Sequence, residues 1–99
     1  SRVDLIKIDV EGAELNVLKG GINTITKFNP VIVFEYELGA SDVYGVTPAE
    51  MWSFFDKVKY NIYTLKNFIE SPLPLSFAEF TEIYNSKKEH YFVARFRSL

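Results

Sequence analysis

Four acids stand where two apolar runs give out. Asp9 and Glu11 follow Leu5, Ile6 and Ile8 and flank Val10, while Glu35 and Glu37 follow Val31-Ile32-Val33-Phe34. On an extended chain, residues two apart project to the same side, so each pair presents its carboxylates together. Paired carboxylates orient or deprotonate a hydroxyl, or supply oxygen ligands to a divalent cation. They also have plainer uses. Acids at the start of a helix satisfy its free amides and suit its dipole, which is the competing role for Glu11 and, less strongly, for Asp9. Glu37 also fits a solvated strand end. Lys7, in mid-strand, calls for a carboxylate partner, and Glu35 on a neighbouring strand is the expected one. His90 reads as a strand-edge residue.

The elements that must position these acids follow from periodicity. The first run stops at Gly12 and is read as a strand buried on both faces. Over residues 13–28, Leu15, Leu18, Ile22, Ile25 and Phe28 recur at helical spacing. Gly20-Gly21 interrupts them and predicts a kink or two short helices. Pro30 ends this segment, and a second buried strand follows. Strand, helix, strand is a right-handed crossover unit whose acids gather at the carboxyl ends of parallel strands, where open α/β sheets place their ligands.

Residues 39–45 read as a loop. Thr47-Pro48-Ala49-Glu50 is a capping box with proline at the first helical position, ahead of a bulky face of Met51, Trp52, Phe54, Phe55 and Val58. Asn61 is the expected stop, with a third strand over residues 62–65. Pro72 and Pro74 mark residues 67–76 as irregular loop. Ser76-Phe77-Ala78-Glu79 repeats the capping box for a short helix ending near Asn85, and residues 90–96 form an aromatic, β-branched fourth strand. Trp52, Phe54, Phe55 and Phe80 sit at helical spacing and are core residues before anything else.

Composition narrows the classes. Ninety-nine residues, 47% of them hydrophobic, suffice for one domain, burying roughly 60–65% of the surface an unfolded chain exposes. A net charge of −2 without a basic stripe speaks against a nucleic-acid partner. No apolar run approaches the roughly 20 residues that span a bilayer, and the opening residues lack the parts of a signal peptide. A protein without membrane contact, in the cytoplasm, is expected. The chain has no cysteine and one histidine, which leaves neither disulfides nor a zinc cluster.

The string Ile6-Lys7-Ile8-Asp9-Val10-Glu11-Gly12-Ala13-Glu14-Leu15, followed by Val17-Leu18-Lys19-Gly20 and then by Pro30-Val31-Ile32 with Glu35, resembles the FkbM family of S-adenosylmethionine-dependent methyltransferases. The close likeness covers roughly the first forty residues. It implies an α/β class I methyltransferase fold, Rossmann-like, in which this chain supplies the last four strands as a mixed sheet in three α/β/α layers. The opening, second and third strands would run parallel, and the last antiparallel between the second and third.

The resemblance also implies functions for the acids. Asp9 would orient or deprotonate an acceptor hydroxyl, Glu11 would support it or help hold a divalent cation, and Glu35 and Glu37 would line the substrate crevice. The acceptor would be a small molecule or saccharide, a sugar or a natural product. Family members bind S-adenosylmethionine mainly through a Gly-rich turn and an acid on earlier strands, which do not precede Ser1. The chain is therefore expected to be the carboxyl-terminal half of a methyltransferase domain, inactive alone, with its cofactor-binding residues unassigned. It is further expected to self-associate through the strand edge from Leu5 to Val10. The alternative is a stand-alone α/β interaction or signalling module that holds a cation at the acid cluster.

Overall fold

The computed structural model describes residues 4–9, 12–37, 45–70 and 73–97. Glu11, Val10 and the loop expected over residues 39–45, apart from Gly45, lie outside them. The elements run β1 (Leu5–Ile8), α1 (Glu14–Gly20), α2 (Ile22–Phe28), β2 (Val31–Glu35), α3 (Pro48–Lys57), β3 (Tyr60–Thr64), α4 (Leu65–Glu70), α5 (Phe77–Ser86) and β4 (Tyr91–Phe96). The strands form one sheet in the order β1-β2-β4-β3. β1 and β2 are parallel, and β4 is antiparallel to both β2 and β3. β3 therefore runs with β1 and β2, and the expected insertion of the last strand between the second and third is what the sheet shows. No described helix is long and apolar enough to cross a membrane.

Local chemistry accounts for the helix boundaries. Both capping boxes form: Thr47 and Ser76 accept hydrogen bonds from the amides of Glu50 and Glu79, whose carboxylates reach back to the capping amides. The chain breaks into two helices at Gly21, as the glycine pair implied; its amide donates to the carbonyls of Val17 and Leu18 while its own carbonyl accepts from Ile25. Asn29 closes α2 in the left-handed conformation, directly before Pro30.

Two boundaries differ from the sequence reading. α3 ends at Lys57 rather than at Asn61, because Lys59 takes the left-handed turn at φ 69° and Asn61 enters β3, where its side chain accepts from Arg97 Nε at 2.8 Å. Residues 65–70, read in part as loop, are the helix α4. Its cap is the Thr64 hydroxyl, which accepts from the Asn67 amide at 3.1 Å without the glutamate that would have advertised a capping box.

The core lies on one face of the sheet. Ile8, Ile32, Phe34, Ile62, Phe92 and Ala94 point there from the strands and meet Leu15, Leu18, Ile25, Met51, Phe55 and Phe80 from α1, α2, α3 and α5. Its centre is aromatic: the Phe34 ring lies 5.1 Å from Phe55 and 5.7 Å from Phe92, and Phe80 meets Phe92 edge-on at 5.1 Å. On the other face α4 packs over β3 and β4, with Phe68 edge-on to Tyr63 and Arg95 over both rings.

The β1 side of that second face is open. Leu5 is 61% exposed and Lys7 is exposed, so β1 is buried on one face, through Ile6 and Ile8, and not on both. For the same reason the expected Lys7–Glu35 ion pair is not found: Lys7 stands beside Val33, and it appears neither among the groups acting on Glu35 nor in an ion pair of the described residues. An ammonium left in water needs no partner.

Candidate functional site

The parallel register sets Ile8 beside Phe34, so the next residue, Asp9, stands beside Glu35 at the carboxyl ends of β1 and β2. β4 enters antiparallel at this same end and places Tyr91 opposite Glu35. Three strands thus contribute a row, Asp9, Glu35, Tyr91, on the open face of the sheet. The register sets the Tyr91 phenol and the Asp9 carboxylate on either side of the Glu35 carboxylate, the phenol favouring the Glu35 anion and the Asp9 charge opposing it.

Burial raises the proton affinity of Glu35 above its ordinary 4.5, the Tyr91 hydrogen bond pulls the other way, and the charges of Asp9 and Glu37 reinforce the rise. Tyr91 holds its own proton more tightly than a free phenol because it donates it to an anion. Glu37 stands just beyond β2, where its Oε2 lies 3.1 Å from His90 Nδ1. That nitrogen is shielded from solvent although the His90 side chain is 42% exposed, and it lacks an aligned hydrogen bond, so the contact is an ion pair when the imidazole is protonated.

The turn between β1 and α1 is fixed by Glu14. This carboxylate is 1% exposed and accepts from the Gly12 amide through Oε1 at 3.0 Å and Oε2 at 3.3 Å. Gly12 has φ 103°, a conformation that a side chain would strain. The pair fixes the backbone at Gly12, where the chain enters α1.

Of the four acids singled out in the sequence, Asp9 and Glu35 are brought into contact, Glu37 lies beside them, and Glu11 is outside the described residues. Tyr91, His90 and Glu14 are the additions. Nothing in the local sequence marks Tyr91, whose position depends on β4 entering beside β2; Glu14 is marked only by following Gly12 at the close of an apolar run. Among the described residues no three of His, Cys, Asp or Glu are grouped to hold a metal ion, so the divalent cation expected from the acids finds no ligand set there.

A mixed four-stranded sheet flanked by helices, with acids at the carboxyl ends of its first two parallel strands, is an α/β fold consistent with part of a Rossmann-like methyltransferase fold. The methyltransferase FkbM domain matches residues 1–62, more than half of the chain, and the protein belongs to that family of methyltransferases. No curated protein and no solved structure matches the chain.

Proposed function

We propose that the protein acts in the transfer of a methyl group from S-adenosylmethionine to a hydroxyl of a sugar or natural-product acceptor. The observation that carries this reading is the row Asp9, Glu35, Tyr91 at the carboxyl end of the parallel strands, in a chain that matches a methyltransferase family.

The donor chemistry of the row suits an acceptor hydroxyl. Two carboxyls in contact accept a hydrogen bond from it and take its proton as the oxygen becomes the nucleophile. Glu35 is a stronger base than an ordinary carboxylate because its proton affinity is raised, and Asp9 stands beside it to orient the same hydroxyl. The row does not fit the whole of the methyl donor. Adenosine needs an apolar slot, and the grooves between α1–α2 and α3 and between α4 and α5 are not lined by Asp9, Glu35 or Tyr91.

A methyl-transfer assay with labelled S-adenosylmethionine and a panel of polyols and glycosides tests the reading on the full protein. Asp9→Asn and Glu35→Gln are expected to lower kcat by about 10²–10⁴-fold, the usual worth of a positioned base. Full activity in both variants would overturn the assignment.

A further inference from the structure

We infer that Tyr91 is a positioning residue for methyl transfer: its hydroxyl fixes the Glu35 carboxylate so that one oxygen faces the acceptor hydroxyl while Asp9 takes up the other side of the group. The inference rests on the functional reading above and adds to it a residue from β4.

The geometry is a cross-strand row. Glu35 and Tyr91 are directly opposed in the antiparallel pair of β2 and β4, and Asp9 follows Ile8, which is paired with Phe34. Directly opposed side chains in a sheet stand close enough to interact, and here the register sets a phenol, a hydrogen-bond donor, against a carboxylate. A glutamate held from one side only turns about its terminal bonds, which broadens the set of directions its free oxygen samples. Tyr91 restricts that set with a rigid ring carried on two rotatable bonds, and it remains 40% exposed, so nothing in the core depends on its hydroxyl.

Among the described residues the charged and titratable groups around Glu35 are few. Asp9 faces it from β1, Glu37 follows it along its own strand with His90 on its far side, and Tyr91 faces it from β4. Lys7 shares this face one step back along β1 but is exposed and does not act on Glu35. Removing the phenolic hydroxyl therefore removes, among the described residues, the group that favours the Glu35 anion and leaves those that oppose it.

The test uses the full protein, as in the methyl-transfer assay, and its Tyr91→Phe variant, with two readouts. Carbon-13 NMR of the side-chain carboxyls follows the protonation of Glu35 directly, and the pH profile of methyl transfer follows its use. In Tyr91→Phe the Glu35 midpoint is expected to rise, the acid limb of kcat to move up with it, and kcat on the plateau to fall roughly tenfold, the worth of one hydrogen bond to a charged group, with KM for the acceptor little changed. An unmoved Glu35 midpoint overturns the inference whatever the activity shows. A raised midpoint with an unmoved rate profile also overturns it, by showing that the contact exists but does not serve the reaction. The functional reading is judged separately, by Asp9→Asn and Glu35→Gln, so the failure of one is not mistaken for the failure of the other.

Discussion

Tyr60 and Tyr91 both hold their phenolic protons more tightly than a free tyrosine, and they do so at opposite ends of the sheet for opposite reasons. Tyr60 opens β3 at the amino end of the parallel strands; it is 1% exposed, donates to the Pro30 carbonyl at 2.6 Å, and burial alone pushes its pKa up to about 12. Tyr91 sits at the carboxyl end in reach of water, and its proton is held by the anion it faces. The amino end is closed by structural bonds: Arg97 bridges Asn61 Oδ1 at 2.8 Å, Asp56 Oδ1 at 2.6 Å and the Tyr60 carbonyl at 3.1 Å. The carboxyl end gathers like charges that cost stability and suit chemistry. One end of the sheet holds the domain together, and the other is free to carry a site.

The contrast is sharpened most by substitutions at the amino end. Tyr60→Ala removes a fully buried ring packed against Phe55 and Phe96 and is expected to cost about 3–5 kcal/mol. Thermal or urea unfolding measures it; a loss below about 1 kcal/mol would mean that the site collapses around the missing ring.

Alkaline pH separates the two tyrosines next. The folded-state pKa of Tyr60 lies above the unfolded value of 10.0, so its contribution is fully present below pH 10 and is lost as pH rises through about 12, because the unfolded chain ionises first. The difference corresponds to roughly 2–3 kcal/mol. Wild-type protein should lose that much more between these limits than Tyr60→Phe, which should be less stable at neutral pH and retain only the shallower slope that Tyr91 contributes. Parallel curves for the two proteins would show that the hydroxyl is not sequestered.

Smaller effects are expected at the helix caps. Thr47→Ala and Ser76→Ala each remove a capping hydroxyl from a closed box and should lower stability by about 1 kcal/mol apiece, additively, since they cap separate helices. The smallest effect has the opposite sign. The folded state opposes ionisation of Glu35, a penalty absent below 4.5 and present as pH rises above it. Glu35→Gln should therefore melt slightly above wild type at neutral pH, with the gap closing in acid. A lower melting temperature at pH 7 would mean that the Tyr91 hydrogen bond outweighs the repulsion of Asp9 and Glu37.

What the sequence determined by itself is what short-range forces decide. The apolar runs of β1 and β2, the break at Gly20-Gly21 and both capping boxes depend on residues within a few positions of one another, and each appears where its signal stands. The four-stranded order was legible only through the likeness of residues 6–35 to a family, since periodicity does not say which strand pairs with which. Tertiary structure decided the rest. Lys7 lies in an apolar run and reads as buried, yet among the described residues helices cover only the other face of β1, so it stays in water with no ion-pair partner among them. α4 escaped notice because its cap, Thr64, belongs to the preceding strand and bonds Asn67 without a glutamate to complete a box. The contact of Asp9, Glu35 and Tyr91 exists because β1 and β2 are parallel and β4 returns antiparallel beside β2, and register between strands so distant along the chain is set by the core face of the sheet, where Ile8, Phe34 and Phe92 must align.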